Sequence, residues 1–172
     1  ERALRRLCLR KRDNVANTLG ARHEHDQTIK TEGDAAAVLA MDNSLLAHRD
    51  HWLVRETIGY LRRTLSRLDV SSRSLFALIE EGSCFAGSLL ELALACDRSY
   101  QLALPDEPQA APCITVGEVN FGLYPMVTGE SRLARRFYDE QPALDAVRRM
   151  LASELDAVGD DDAWVLSVHD DG

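Results

Sequence analysis

One acid stands inside the apolar run Leu89-Leu90-Glu91-Leu92-Ala93-Leu94-Ala95-Cys96. A carboxyl among aliphatic side chains is costly to bury unless it is partnered or put to use. Glu91 can therefore handle protons in general acid–base catalysis, or, with Ser88 three residues ahead, close a capping box at the start of its own helix. Just before it lies the glycine-flanked turn Gly82-Ser83-Cys84-Phe85-Ala86-Gly87. Gly82 and Gly87 have the spacing of a phosphate-cradling loop, but Ser88 and Leu89 follow where that loop requires Lys and then Ser or Thr, which argues against nucleotide hydrolysis. The run is one residue too long for the GxSxG elbow that presents a nucleophile. Cys84 in this turn is either a packing residue or a thiol activated by the helix start, with His169 as the base of a thioesterase. His23 with His25, and His48 with His51, have metal-site spacings that no Cys or carboxylate completes, which favours solvated imidazoles. Asp160, Asp161 and Asp162 lack the glycine-punctuated loop of a hard-cation site and read as a solubilising tail.

These residues need elements to position them. In residues 49–68, Leu53, Tyr60, Leu61, Leu65 and Leu68 fall at helical intervals with Asp50 as the cap. Residues 75–79 are a short continuous apolar run, the pattern of a buried strand. The glycine turn follows, and then a buried helix over 88–96. Two further strands are predicted at 98–104 and 113–116, separated by a loop with Pro105, Pro108 and Pro112 that no central strand tolerates. Helices over 131–138 and 142–155 come next. Residues 1–12 read as an exposed amphipathic helix, 13–35 as loop, and 159–172 as a frayed acidic end. Strand, glycine turn and helix in that order make the class α/β.

Composition narrows the partners. The chain has 172 residues, 20 basic and 28 acidic, for a net charge of −8. The acidic surplus argues against a general nucleic-acid or anionic-membrane binder. No apolar run approaches the roughly 20 residues of a membrane span. Four widely spaced cysteines without CxxC pairing favour reduced thiols in a cytoplasm. Glu1 in place of an initiator Met suggests a fragment.

Two motifs then match a known family. Phe85-Ala86-Gly87-Ser88-Leu89-Leu90-Glu91-Leu92-Ala93-Leu94-Ala95-Cys96-Asp97 resembles the crotonase, or enoyl-CoA hydratase/isomerase, signature of a glycine-rich turn entering a helix that ends in Leu-Ala-x-Ala-Cys-Asp. Gly117-Glu118-Val119-Asn120-Phe121-Gly122-Leu123-Tyr124-Pro125 is similar to its second motif, a Glu followed by Gly four residues later and Pro seven later. Lys30-Thr31-Glu32-Gly33-Asp34, Ala47-His48-Arg49-Asp50-His51-Trp52 and the stretch around Leu75 narrow the resemblance to the benzoyl-CoA-dihydrodiol lyases, a divergent crotonase branch of aerobic benzoate degradation.

The resemblance implies a partial crotonase-like spiral of ββα units over residues 1–138, followed by a helix and a divergent acidic tail over 139–172. It implies a CoA thioester as partner, no nucleic acid or membrane, and a homo-oligomer at full length. No metal or redox cofactor is implied beyond the CoA of the substrate. By the same likeness, backbone amides at Ser88 and near Leu39 form an oxyanion hole for the thioester oxygen, and Glu91 and Glu118 divide the proton transfers. Gly87 and Cys84 shape the substrate site. The implied reaction opens the oxidised benzoyl-CoA ring, as 2,3-dihydrodiol or 2,3-epoxide, by C–C cleavage with formate release. Another crotonase-type hydratase or isomerase, and an inactive assembly module, stand as alternatives.

Overall fold

The structure is a computed structural model that describes residues 10–11, 26–102, 104, 111–138 and 140–157. Its sheet is built around the apolar run expected to be a strand, β3 (Leu75–Ile79). On one side β3 pairs with β4 (Arg98–Gln101), which in turn pairs with β1 (Arg10–Lys11). On the other side lies β2 (Gln27–Ile29), giving the order β1-β4-β3-β2 with every pairing parallel. Parallel neighbours need long crossovers. Helices α1 (Ala35–Ala47) and α2 (Trp52–Leu68) lie between β2 and β3, and α3 (Gly87–Ala95) between β3 and β4.

Alternation along β3 sends Leu75, Ala77 and Ile79 into the main core with Phe85 and Leu90 of the α3 region. Phe76 and Leu78 face the other way, toward Tyr100 of β4. α2 is amphipathic as expected: Ile58 and Leu65 are buried, with Leu61 and Leu68 packed in the same cluster. This second cluster also holds Val119 and Tyr124. A short 3-10 turn, Glu118–Phe121, is therefore clamped between α2 and α3. Helices α4 (Arg132–Arg136) and α5 (Gln141–Ala157) close the chain, with Leu133, Leu144 and Val147 in the main core.

Several elements depart from the sequence reading. Residues 27–29, assigned to loop, pair with β3 as a mostly exposed edge strand, Gln27 opposite Leu75. Residues 10–11, assigned to a helix, form β1; the rest of 1–12, most of 13–35 before β2, and 159–172 lie outside the described residues. The helix predicted from residue 49 begins at Trp52, and its cap is His51, whose Nδ1 accepts from the Leu53 amide at 3.3 Å, not Asp50. The predicted strand 98–104 ends at Gln101. The one predicted at 113–116 reduces to an isolated bridge between Ala86 and Thr115. That bridge matters, because Gly87 N–H donates to Thr115 O at 3.1 Å and so fixes the entrance of α3.

Candidate active site at the entrance of α3

α3 starts after an extended Ala86, with no side-chain cap of its own. Gly87 opens it at φ +43, a left-handed conformation that suits glycine. Space demands glycine there as well, since a Cβ would collide with Asp42 Oδ2 and crowd Leu39 Cδ2. Asp42, on α1, is 1% exposed. Its Oδ2 accepts the Ser88 N–H at 2.7 Å. A helix N-terminus carries a partial positive charge and unpaired N–H groups, and in this molecule it has drawn in a carboxylate. Burial pushes the Asp42 carboxyl up from its ordinary range, against the lowering effect of Ser88.

Ser88 and Gly87 lie at this mouth, whereas the Leu39 amide does not. Val38 N–H already donates to Asp34 O inside α1, so the Leu39 amide, one residue further on, lies in the helix interior, where backbone donors are taken. Leu39 contributes its side chain instead, whose Cδ2 lies over Gly87 and Gly117.

Glu91, one turn along α3, does not return to the helix start, so no capping box forms with Ser88. Its Oε1 accepts from Asn120 Nδ2 at 2.6 Å and its Oε2 from Arg132 Nη1 at 2.9 Å. Arg132 is itself 2% exposed. Its Nε and Nη2 grip both oxygens of Asp69 at 2.9 Å each, and Nη1 also donates to Tyr124 O at 2.9 Å. Asn120 donates further to Gly87 O at 2.8 Å and accepts the Gly117 N–H at 2.9 Å. Burial raises the Glu91 carboxyl above its ordinary range, opposed by the bonds from Asn120 and Arg132.

Glu118 occupies a different environment. It is exposed, as the first residue of the 3-10 turn, and only Asn120, two residues on, connects that turn to Glu91. Cys84 is buried beneath the loop that leads into α1: its N–H donates to Thr31 Oγ1 at 3.1 Å, and its Sγ faces Gly33. A thiol so enclosed is poorly placed as a nucleophile, and its suggested base, His169, lies outside the described residues.

Known proteins give this arrangement a context. Over 127 residues the chain is 56% identical to the benzoyl-CoA-dihydrodiol lyase of Aromatoleum evansii, a stretch that makes up 74% of this chain and 22% of that protein. Over this stretch the chain is similar to that lyase. It spans about a fifth of the length of that relative. No family model matches it.

Five residues of the entrance carried no functional assignment in the sequence: Asp42, Asp69, Asn120, Tyr124 and Arg132. Asp42 left no signal of its own, because α1 has no apolar stripe to mark the buried face that it shares with Leu39. His48 and His51 are exposed groups at helix ends, where His48 Nδ1 meets Ser44 O at 3.0 Å. His23, His25 and Asp160 to Asp162 lie outside the described residues. Among the described residues no group of three or more His, Cys, Asp or Glu is arranged to hold a metal ion. No described helix is long and apolar enough to cross a membrane.

Proposed function

We propose that this chain carries the thioester-polarising part of a lyase that opens an oxidised benzoyl-CoA ring by adding water, one molecule to the 2,3-dihydrodiol or two to the 2,3-epoxide, with C–C cleavage and release of formate and an open-chain acyl-CoA aldehyde. On this reading its parallel strands and α3 belong to a crotonase-like spiral. The thioester oxygen accepts the Ser88 N–H as negative charge builds on it, so the helix end stabilises charge that appears in the transition state. Among the described residues the backbone donor in that role is Ser88. Glu118, exposed and able to meet a ligand, transfers the proton. Glu91, with both oxygens engaged, holds the entrance in shape. Gly87 admits the substrate oxygen because it has no side chain, and Cys84 shapes the turn behind it.

The observation that carries this reading is the Ser88 amide at the buried mouth of α3, already bonded to an anionic oxygen at 2.7 Å. The 56% identity to a lyase named for benzoyl-CoA-dihydrodiol supports the substrate class. The test is to incubate the protein at its full natural length with each oxidised form of benzoyl-CoA and measure formate. Formate released in step with thioester consumption, with unoxidised benzoyl-CoA left intact, is the expected result. A folded protein that releases none from either form refutes it.

A further inference from the structure

The proposed function demands the Ser88 N–H for the substrate, yet that single donor is occupied by Asp42 Oδ2 at 2.7 Å. An N–H cannot serve a carboxylate and a thioester oxygen equally well, so one must yield. Two more observations bear on where the carboxylate would go. Asp42 Oδ1 is buried with no hydrogen-bond partner among the described residues. The hydroxyl of Tyr124, a residue 1% exposed, is in the same condition. Buried polar atoms are nearly always paired, and one left unpaired points to a second arrangement or a missing partner. Tyr124 sits in a buried cluster that packs against Leu45 and Leu46 of α1, one turn on from Asp42; burial first, then Asp42 and Glu91, push its hydroxyl up to about 12. A hydroxyl held in its protonated form keeps its hydrogen available to donate.

We infer that Asp42 is a positioning residue that guards the Ser88 amide, and that substrate binding moves its carboxylate from Ser88 to the Tyr124 hydroxyl. This inference rests on the proposed function. With the site empty, Asp42 satisfies the helix end. When a thioester enters, its oxygen takes the amide and Asp42 takes the Tyr124 O–H, so each donor keeps an acceptor. Gly87 is what lets α1 bring the carboxylate so close. No bond is made or broken in this exchange apart from hydrogen bonds.

The two halves of the exchange make predictions of opposite sign, which a purely structural role for either residue would not. Asp42→Asn keeps the shape but offers Ser88 a neutral acceptor, weaker than a carboxylate. The thioester then competes better, and its KM falls about three- to tenfold with kcat held within about twofold. Tyr124→Phe removes the carboxylate's destination, and KM rises by about the same factor. The experiment measures kcat and KM for the oxidised benzoyl-CoA, and Kd for unreactive benzoyl-CoA by calorimetry, on wild type and both isosteric variants, with melting curves to confirm folding. Opposite shifts in KM and Kd support the exchange. Shifts in the same direction, or none, overturn it while wild-type turnover leaves the proposed function standing. Should one variant fail to melt cooperatively, the other decides by the sign of its shift. Wild type that neither binds nor turns over the thioester overturns both.

Discussion

Arg132→Met is the most informative single change in this molecule. The guanidinium is buried and holds two buried carboxylates, Glu91 and Asp69, whose side chains are 1% and 3% exposed. Methionine fills a similar volume but leaves both acids without their cation, along with the Tyr124 carbonyl. Removing one partner of a buried ion pair costs about 3–5 kcal/mol, mostly because the remaining charge is stranded. Two acids are stranded here, so the upper part of that range applies. A domain of this size has about 5–15 kcal/mol in all, and the loss corresponds to a fall in melting midpoint of about 10 °C or more. Urea unfolding followed by far-UV circular dichroism measures it. The pH dependence separates this mechanism from simple loss of packing. Arg132 lowers the Glu91 pKa, so its removal raises further a folded-state value that burial already holds above the ordinary range. A carboxyl whose folded pKa exceeds its unfolded one binds more protons when folded. Its stabilising contribution is full at acid pH and is lost as pH rises from the unfolded towards the folded value. The deficit of the variant must therefore be smallest near pH 5 and grow towards neutrality. A deficit that is the same at every pH, or below about 1 kcal/mol, refutes the stranded-charge reasoning.

Three further outcomes follow from the same geometry. Gly87→Ala places a Cβ against Asp42 Oδ2 at a left-handed φ, so urea unfolding should show a loss of at least about 1–3 kcal/mol from backbone strain alone. Glu118→Gln alters an exposed side chain, so the melting midpoint should stay put while kcat for formate release drops about ten- to a hundredfold. Cys84→Ala, by contrast, should cost about 1 kcal/mol of packing and leave turnover within about twofold of wild type; abolished turnover in a folded variant would restore a thiol mechanism.

What could be read from the sequence followed the strength of local patterns. β3 and α2 were legible because continuous burial and helical spacing leave their mark on residue order. The edge strand β2 was not, since Gln27 and Thr28 are exposed and a single half-buried Ile29 is too little for alternation to show. α1 escaped for a different reason: Ala35-Ala36-Ala37 has high helix propensity but no apolar stripe to announce a buried face. At the site, the need to partner Glu91 was plain from its apolar neighbours, whereas the partner was not. Arg132 lies 41 residues away, on a helix of five residues, and looks in sequence like any surface arginine near Arg135 and Arg136. Long-range charge pairing leaves no periodicity to find.

The same distance explains why a carboxylate tied up in structure still belongs to the site. Asn120 spends its side chain on three groups from two elements: Glu91 and Gly87 O of α3, and Gly117 N–H at the head of its own turn. The 3-10 turn is thereby locked to the first turn of α3, and Glu118, which makes no comparable bond among the described residues, is carried with it. The Glu91 oxygen that Asn120 uses is in turn held by a carboxylate whose other oxygen is anchored on Arg132, and Arg132 is braced by Asp69 at the end of α2. A polar chain of this kind is rigid only if each member is satisfied. Asn120, Glu91, Arg132 and Asp69 are linked side chain to side chain, with further bonds from Asn120 and Arg132 to the backbone. Among the described residues the buried side-chain oxygens left without a hydrogen bond are those of Asp42, Thr115 and Tyr124, and both Asp42 and Thr115 meet the first residues of α3. On the proposed function, rigidity on the Glu91 side and an unpaired oxygen on the Asp42 side suit a site in which one wall holds Glu118 in place and the other makes room for a substrate oxygen.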